Sequence, residues 1–404
     1  MNDTEYLSKS KNEPLVAMAV ASFDLLSGIK VGYRWLFTDD DICENLDDVC
    51  KIMLCNVHRQ NEQAFECCAT STIELQCFGW YVTNAIFLKN QPNTKKNIYI
   101  SVGLVFKSEK IKNNPHLSES LIFWTKIFAN CVKTTITKNE QLSSLRRIAE
   151  RVSMECNNLI SAGILELPPF NPSPADFYFY SILLTSHIQT QMRTVIESSS
   201  PKDAQTVASF LASFMIPFQL ELSSLEHRQN PVSGFFLQCV ERQKQSPEEH
   251  MITFQKPVTW LRLPERQILR TSDLNLIQTT ENYTILIEST DRDDQEVKSQ
   301  FTRIKNLYKV QQMTSPSHWA LNTNLLLNQF PKLARKIVCE QQLAELLRTA
   351  FALISIQNGK PEKLTAPILK LLRIQTQDDA EMVLAIAKLY DHDIARQIRA
   401  KGRI

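Results

Sequence analysis

The chain has 404 residues and a formal net charge of +2, with 45 Lys and Arg against 43 Asp and Glu. That balance gives no global electrostatic case for nucleic acid or for an anionic membrane, and the length allows two or three domains at roughly 100 to 200 residues each. Glycine excludes more. Only eight occur, at Gly28, Gly32, Gly79, Gly103, Gly163, Gly234, Gly359 and Gly402. Neither a GxGxxG turn nor a GxxxxGKS/T loop can be built from those positions, so a Rossmann dinucleotide site and a P-loop are both excluded, as is a GxSxG nucleophile elbow.

No uncharged apolar run approaches the roughly 18 residues that span a bilayer, and the start MNDTEYLSKSKNEP has no apolar core behind a basic segment. The chain reads as intracellular and soluble. Its ten cysteines lie in strand-like and helix-like runs such as CKIMLC, ECCAT and KIVCE, so reduced and mostly buried thiols are expected.

In chain order, Leu15 to Ala21 is apolar throughout, and Ile29, Val31, Tyr33, Trp35 and Phe37 alternate with polar or small residues. The pair reads as a hairpin turned at Ser27-Gly28, with those five alternating residues on one face. The acidic stretch TDDDICENLDDVC lacks the Gly and Glu that a calcium loop needs and reads as a solvated loop or helix start. Strand patterns resume at Ser71–Phe78, Tyr81–Leu88 and Asn97–Phe106, the last two joined by the turn NQPNTKKN. The period then becomes helical, through Leu117, Leu121, Trp124, Phe128 and Cys131, and again through Leu142, Leu145, Ala149, Val152, Cys156 and Leu159. Sheet strands followed by helices match a longin-type α/β layer.

LELPPFNPSPADF carries Pro168, Pro169, Pro172 and Pro174 and marks a linker. Beyond it, DFYFYSILLTSHIQTQ reads as a helix, MRTVIES as a strand, and SSPKDAQTVASFLASFM as a helix capped by Ser200 with Pro201 in its first turn. SGFFLQCV and ITFQKPVTWLRL read as strands. Asn275 to Ser317 reads as a loop-rich insertion, and the chain is helical from Pro331, with Gly359 and Pro361 ending one helix and Thr376 with Asp379 capping the last.

No chemistry stands out from these elements. The seven histidines show no HExxH spacing, and Cys50 with Cys55, or Cys67 with Cys68, lacks a second ligand pair for zinc. His187 reads as a satisfied helix residue rather than a base, and Arg146 and Arg147 as solvated helix positions. Arg396, Arg399, Lys401 and Arg403 read as a helix end complementing its own dipole, with a weak contact to acidic partners or lipid head groups as the alternative. Phe78, Trp80 and Tyr81 form an aromatic cluster that is core, or on an edge strand a docking surface for another sheet. By exclusion the chain works through surfaces, and no catalytic, cofactor-binding or metal-ligating residue is assigned.

VASFDLLSGIKVGYRWLF resembles the first hairpin of DENN-module proteins, and among them the family of DENN proteins named after a chromosome 9 open reading frame linked to amyotrophic lateral sclerosis and frontotemporal dementia. LLTSHIQTQMRTVIESSSPKDAQTVASFLASFMIP and VSGFFLQCVER are similar to that family's central helix, strand, helix and strand, with Ser186, His187, Gln189, Thr190, Ser199, Ser233 and Gly234 at matching places. KLLRIQTQDDAEMVLAIAKL resembles its last helices. Ile29 follows Gly28 where the family has Pro.

The resemblance implies an α/β (α+β) protein with a longin (upstream DENN) domain at 1–163, a Pro-rich linker at 164–175, a central DENN α/β part at 176–316 and a helical downstream part at 317–404. It implies a non-catalytic or co-catalytic subunit of a DENN-protein complex that regulates a Rab or Arf GTPase by nucleotide exchange or GTPase activation. The implied partners are a second DENN protein and a WD-repeat protein, and the aromatic cluster Phe78, Trp80 and Tyr81, read from the residues themselves, is the candidate partner interface. The implied place is cytoplasmic, with recruitment through partners to endosomes, lysosomes and autophagosomes. In a GTPase-activating assembly the transition-state arginine would come from the partner subunit. The rival readings are a trafficking adaptor that uses only its longin domain, and a cysteine hydrolase.

Overall fold

The opening segment folds as three strands, β1 (Asp3–Tyr6), β2 (Leu15–Asp24) and β3 (Gly28–Leu36). The computed structural model describes residues 3–7, 13–24, 28–38, 43–55, 69–91, 96–111, 114–161, 176–243, 246–251, 254, 256–271, 310–330, 332–359, 366–372 and 374–391. The hairpin of β2 and β3 forms as expected, with Gly28 at φ +74° where a side chain would be strained. Ser27, the 164–175 linker, Cys67, Cys68 and the C-terminal basic cluster lie outside the described residues.

The alternation expected along β3 is corrected by a bulge. Val20 lies opposite Tyr33 but Ala21 lies opposite Val31, so Gly32 is left out of the pairing. One extra residue moves every following side chain to the other face. Ile29 and Val31 therefore pack with Leu36 on one side of the sheet, while Trp35 turns to the other and meets Phe128 edge-on at 5.2 Å.

Four more elements complete the first sheet and its covering: α1 (Cys43–Cys55), β4 (Ala69–Leu75), β5 (Trp80–Gln91) and β6 (Lys96–Lys107). The strand order is β1-β3-β2-β6-β5-β4, antiparallel except for β1 on β3. Helix α1 covers one face, and it sits close because that face of β2 and β6 is small: Ala17, Ala19, Ala21 and Gly103 lie beneath it. A Cβ on Gly103 would overlap the Met53 sulfur. On the opposite face lie α2 (Pro115–Thr137), started by the Asn114 side chain and Pro115, and α3 (Arg146–Ile160). Thr83 of β5 and Thr125 of α2 bond at 2.6 Å, both wholly buried.

The first compact unit runs through the described residues up to Ser161, and the second begins at Asp176. The second opens with α4 (Phe177–Gln189), β7 (Thr194–Glu197), α5 (Pro201–Ala212) and α6 (Pro217–Leu220), followed by β8 (Ser224–Arg228) and β9 (Leu237–Val240). It continues through α7 (Pro247–Met251), β10 (Thr259–Arg262), β11 (Gln267–Thr271) and β12 (Val310–Gln312). Ser200 caps α5 as expected, its hydroxyl accepting from the Asp203 N–H.

The second sheet has the order β12-β11-β10-β7-β9-β8, with β10, β7, β9 and β8 parallel. Two expectations are corrected here. The strand read in ITFQKPVTWLRL begins only at Thr259, after Pro257 removes a donor. The stretch read as a loop-rich insertion contains β12, and the part of it from 275 to 309 lies outside the described residues.

Helices then follow: α8 (His318–Gln329), α9 (Lys332–Gly359), α10 (Ala366–Leu371) and α11 (Gln377–Tyr390). Helical structure therefore starts before Pro331, because Ser317 caps α8 by accepting from the Ala320 N–H. An aromatic chain ties α8 to the earlier helices, from Tyr180 to Phe210 at 5.1 Å, to Phe214 at 5.4 Å and to Trp319 at 6.2 Å.

Candidate functional site

Of the central residues singled out in the sequence, Ser186, His187 and Gln189 lie on α4 and Thr190 at its C-cap, and all four are buried. Ser186 and Thr190 both bond to the Thr259 hydroxyl of β10, at 2.7 and 2.9 Å. His187 holds the Thr194 hydroxyl of β7 at 2.8 Å through Nδ1, and the imidazole is wholly enclosed, which pushes its pKa down to about 3. Thr185 accepts from the Ser317 N–H at 2.9 Å, and Asn324 donates to Ser181 at 2.8 Å, so the same helix also grips α8. Ser199 is exposed, Ser233 is buried and Gly234 takes φ +114°. A row of hydroxyls on an otherwise apolar helix thus joins three elements, each satisfied internally.

The end of α4 meets the start of α11. Gln189 donates to the Asp378 carbonyl at 3.2 Å and to its side chain at 3.1 Å. Arg270 of β11 donates to Gln189 and reaches Glu381 at 3.2 Å. Asp379 closes a capping box with Thr376 and also accepts from the Trp319 N–H at 2.9 Å. Two segments that resemble one family are therefore in direct contact, although 189 positions separate Gln189 from Asp378.

The chain order of the parallel strands makes a switch point. From β7 it moves to β8 and β9 on one side, then returns to lay β10 on the other. In doubly wound sheets the crevice beyond the carboxyl ends of two such strands holds phosphates. Here it is filled by Glu197, which is 1% exposed. Its carboxylate accepts from the Trp260 indole at 2.7 Å and the Gln243 N–H at 3.2 Å, and it pairs with Arg262 at 3.4 Å. A buried carboxylate repels phosphate, and SSSP replaces a glycine turn after β7.

Around that rim Arg228 pairs with Glu226, Arg242 with Glu265, and Arg266 with Asp176, at 2.8, 2.7 and 2.6 Å. These arginines hold the rim's own carboxylates. His250 stacks on Trp260 with centroids 5.5 Å apart, and burial lowers its pKa, with Glu197 and Glu249 opposing.

Trp80 and Tyr81 lie on β5, a strand paired on both sides, with Trp80 opposite Leu75 and Lys107. Trp80 is buried in the core beneath α1, 5.4 Å from the half-buried Phe78 in the turn before it. Tyr81 points to the other face, its hydroxyl 2.9 Å from that of Ser118. The flanking strand β4 pairs with β5 alone among the described residues, and the exposed Cys77 sits at the same corner.

Burial pushes the thiols of Cys50, Cys239 and Cys339 up to about 12 and that of Cys156 well above its ordinary value. Such thiols are poor nucleophiles. No group of three His, Cys, Asp or Glu side chains placed to hold a metal occurs among the described residues.

A model of the C9orf72-like protein family matches residues 48–276, a stretch that starts within α1 and runs just past β11. No curated protein matches the chain.

Proposed function

Because this chain belongs to the C9orf72-like protein family, which is DENN-like, we propose that it is a non-catalytic or co-catalytic subunit of a DENN-protein complex that regulates a Rab or Arf GTPase. Membership of that family is compatible with a GTPase-regulator role and carries the proposal. The match covers parts of both compact units rather than one isolated module. The filled switch point supports it further, since a regulator acts on the nucleotide of its client and needs no phosphate loop of its own.

In this reading the first unit is the longin domain and the second the DENN domain. A second DENN protein joins along the side of β4 that pairs with no other strand among the described residues, with Phe78 at the corner and Trp80 and Tyr81 supporting it from behind. A WD-repeat protein completes the assembly. No helix among the described residues is long and apolar enough to cross a membrane, and the proposed contact with endosomes, lysosomes and autophagosomes is peripheral, made through partners. The rim arginines already hold carboxylates, so the transition-state arginine is assigned to the partner.

The test is a panel of Rab and Arf proteins assayed for GTP hydrolysis and for release of labelled GDP. The chain alone and its complex with the co-purified DENN partner are compared. Stimulation of one GTPase by the complex and not by the chain alone is the expected result. Binding of a trafficking partner with neither rate changed across the panel would return the adaptor reading.

A further inference from the structure

The edge of the first sheet beside β3 carries an occupant that the sequence reading did not anticipate. Strand β1 has four residues and pairs with Tyr33 to Leu36 in parallel register, the less stable of the two pairings. Its register stops at Tyr33, next to the bulge at Gly32. None of its described side chains is buried, and Tyr6 is 59% exposed. Besides backbone bonds, the side-chain anchor among the described residues is Glu5, whose carboxylate accepts from the Tyr33 hydroxyl at 3.0 Å and pairs at 3.3 Å with Arg146 of α3, a guanidinium that also pairs with Glu150 at 3.0 Å. A strand without buried apolar contacts sits at the low end of local stability.

We propose that β1 is a replaceable strand, and that the β3 edge accepts in its place an extended segment of a partner chain carrying a carboxylate where Glu5 now lies. The chemistry of the occupant follows from the seat. Backbone groups of Tyr33 to Leu36 supply a ladder that any extended chain satisfies, and the Tyr33 hydroxyl with the Arg146 guanidinium supplies one site for an anion. The edge lies across the sheet from β4, so the proposal stands apart from the GTPase reading and fails or holds independently of it.

The probe is a fluorescent peptide with the sequence of residues 2–8, NDTEYLS, alongside its lysine counterpart NDTKYLS. Full-length wild-type and Glu5→Lys chains are compared by anisotropy and by amide exchange at residues 33–36, with thermal melts confirming that both are folded. The expected result is faster exchange at 33–36 in the Glu5→Lys chain, binding of NDTEYLS to it at least ten-fold tighter than to wild type, recovery of protection on binding, and no binding of NDTKYLS. Equal binding to both chains, or unchanged exchange with no binding, would overturn the proposal. So would faster exchange without binding. A wild-type dimer that Glu5→Lys dissociates would also overturn it, by assigning the edge to a second copy of this chain.

Discussion

His187 shows how burial alone sets a pH response. Its folded pKa lies near 3 against 6.5 in the unfolded chain, so the unfolded state takes up the proton first. The second unit therefore loses stability as pH falls from 6.5 toward 3, by about 1.4 kcal/mol per pH unit from this one group. Replacing His187 with Gln should flatten that acid limb in urea titrations between pH 6.5 and 4, although the substitution itself costs stability at pH 7. Glu197 makes the complementary case. Its removal leaves the Trp260 indole, the Gln243 N–H and Arg262 without their acceptor, and Glu197→Ala should cost about 2–4 kcal/mol by denaturant unfolding. Among the described cysteines Cys77 is exposed and Cys50, Cys131, Cys156, Cys239 and Cys339 are buried. Maleimide at pH 7 should label Cys77 well before those five, whereas a cysteine hydrolase would show one hyper-reactive thiol seated in a cleft.

Among the elements, α11 is the best test of how the helical part is held. Arg270 links it to β11 and α4 in one step, so Arg270→Ala should raise amide exchange in the first turn of α11 and cost about 1–3 kcal/mol. On the first sheet, Gly103→Val should push Met53 out of its place and destabilise by about 1–3 kcal/mol. The elements legible in sequence carry strong apolar patterns: β2 opens on an unbroken apolar run, and β6, α2 and α5 each repeat at one dominant period. The strands β1, β8 and β12, with sequences DTEY, SLEHR and VQQ, are short and polar, and their backbone pairing leaves no mark on composition. The bulge at Gly32 was invisible because alternation across it looks uninterrupted. Helix α8 falls within the helical part implied at 317–404, but its residue pattern alone does not mark it, because its inward face includes Thr323 and Asn324, and Asn324 finds its partner Ser181 143 positions away. The same reason hid the site around Glu197, since Trp260 is 63 positions away. His187 is a helix residue as expected, but it is satisfied only at Nδ1, by Thr194 of the adjoining strand, and its buried Nε2 has no hydrogen-bond partner among the described residues.

Over the whole molecule, the residues that resemble the family serve mainly to fasten elements together. Ser186, Thr190 and Gln189 bond within the second unit, and the crevice a nucleotide would need is closed by an internal carboxylate. The proposed function rests on surfaces, and composition, which excluded ligand classes readily, could not point to an interface. The proposed function has these surfaces build a heteromeric GTPase regulator. The most direct measurement is affinity purification of the tagged full-length chain from its native cells, with quantitative mass spectrometry of whatever co-purifies. The expected result is a second DENN protein at one-to-one stoichiometry, together with a WD-repeat protein. Recovery of the chain as a monomer with no stoichiometric partner would contradict it.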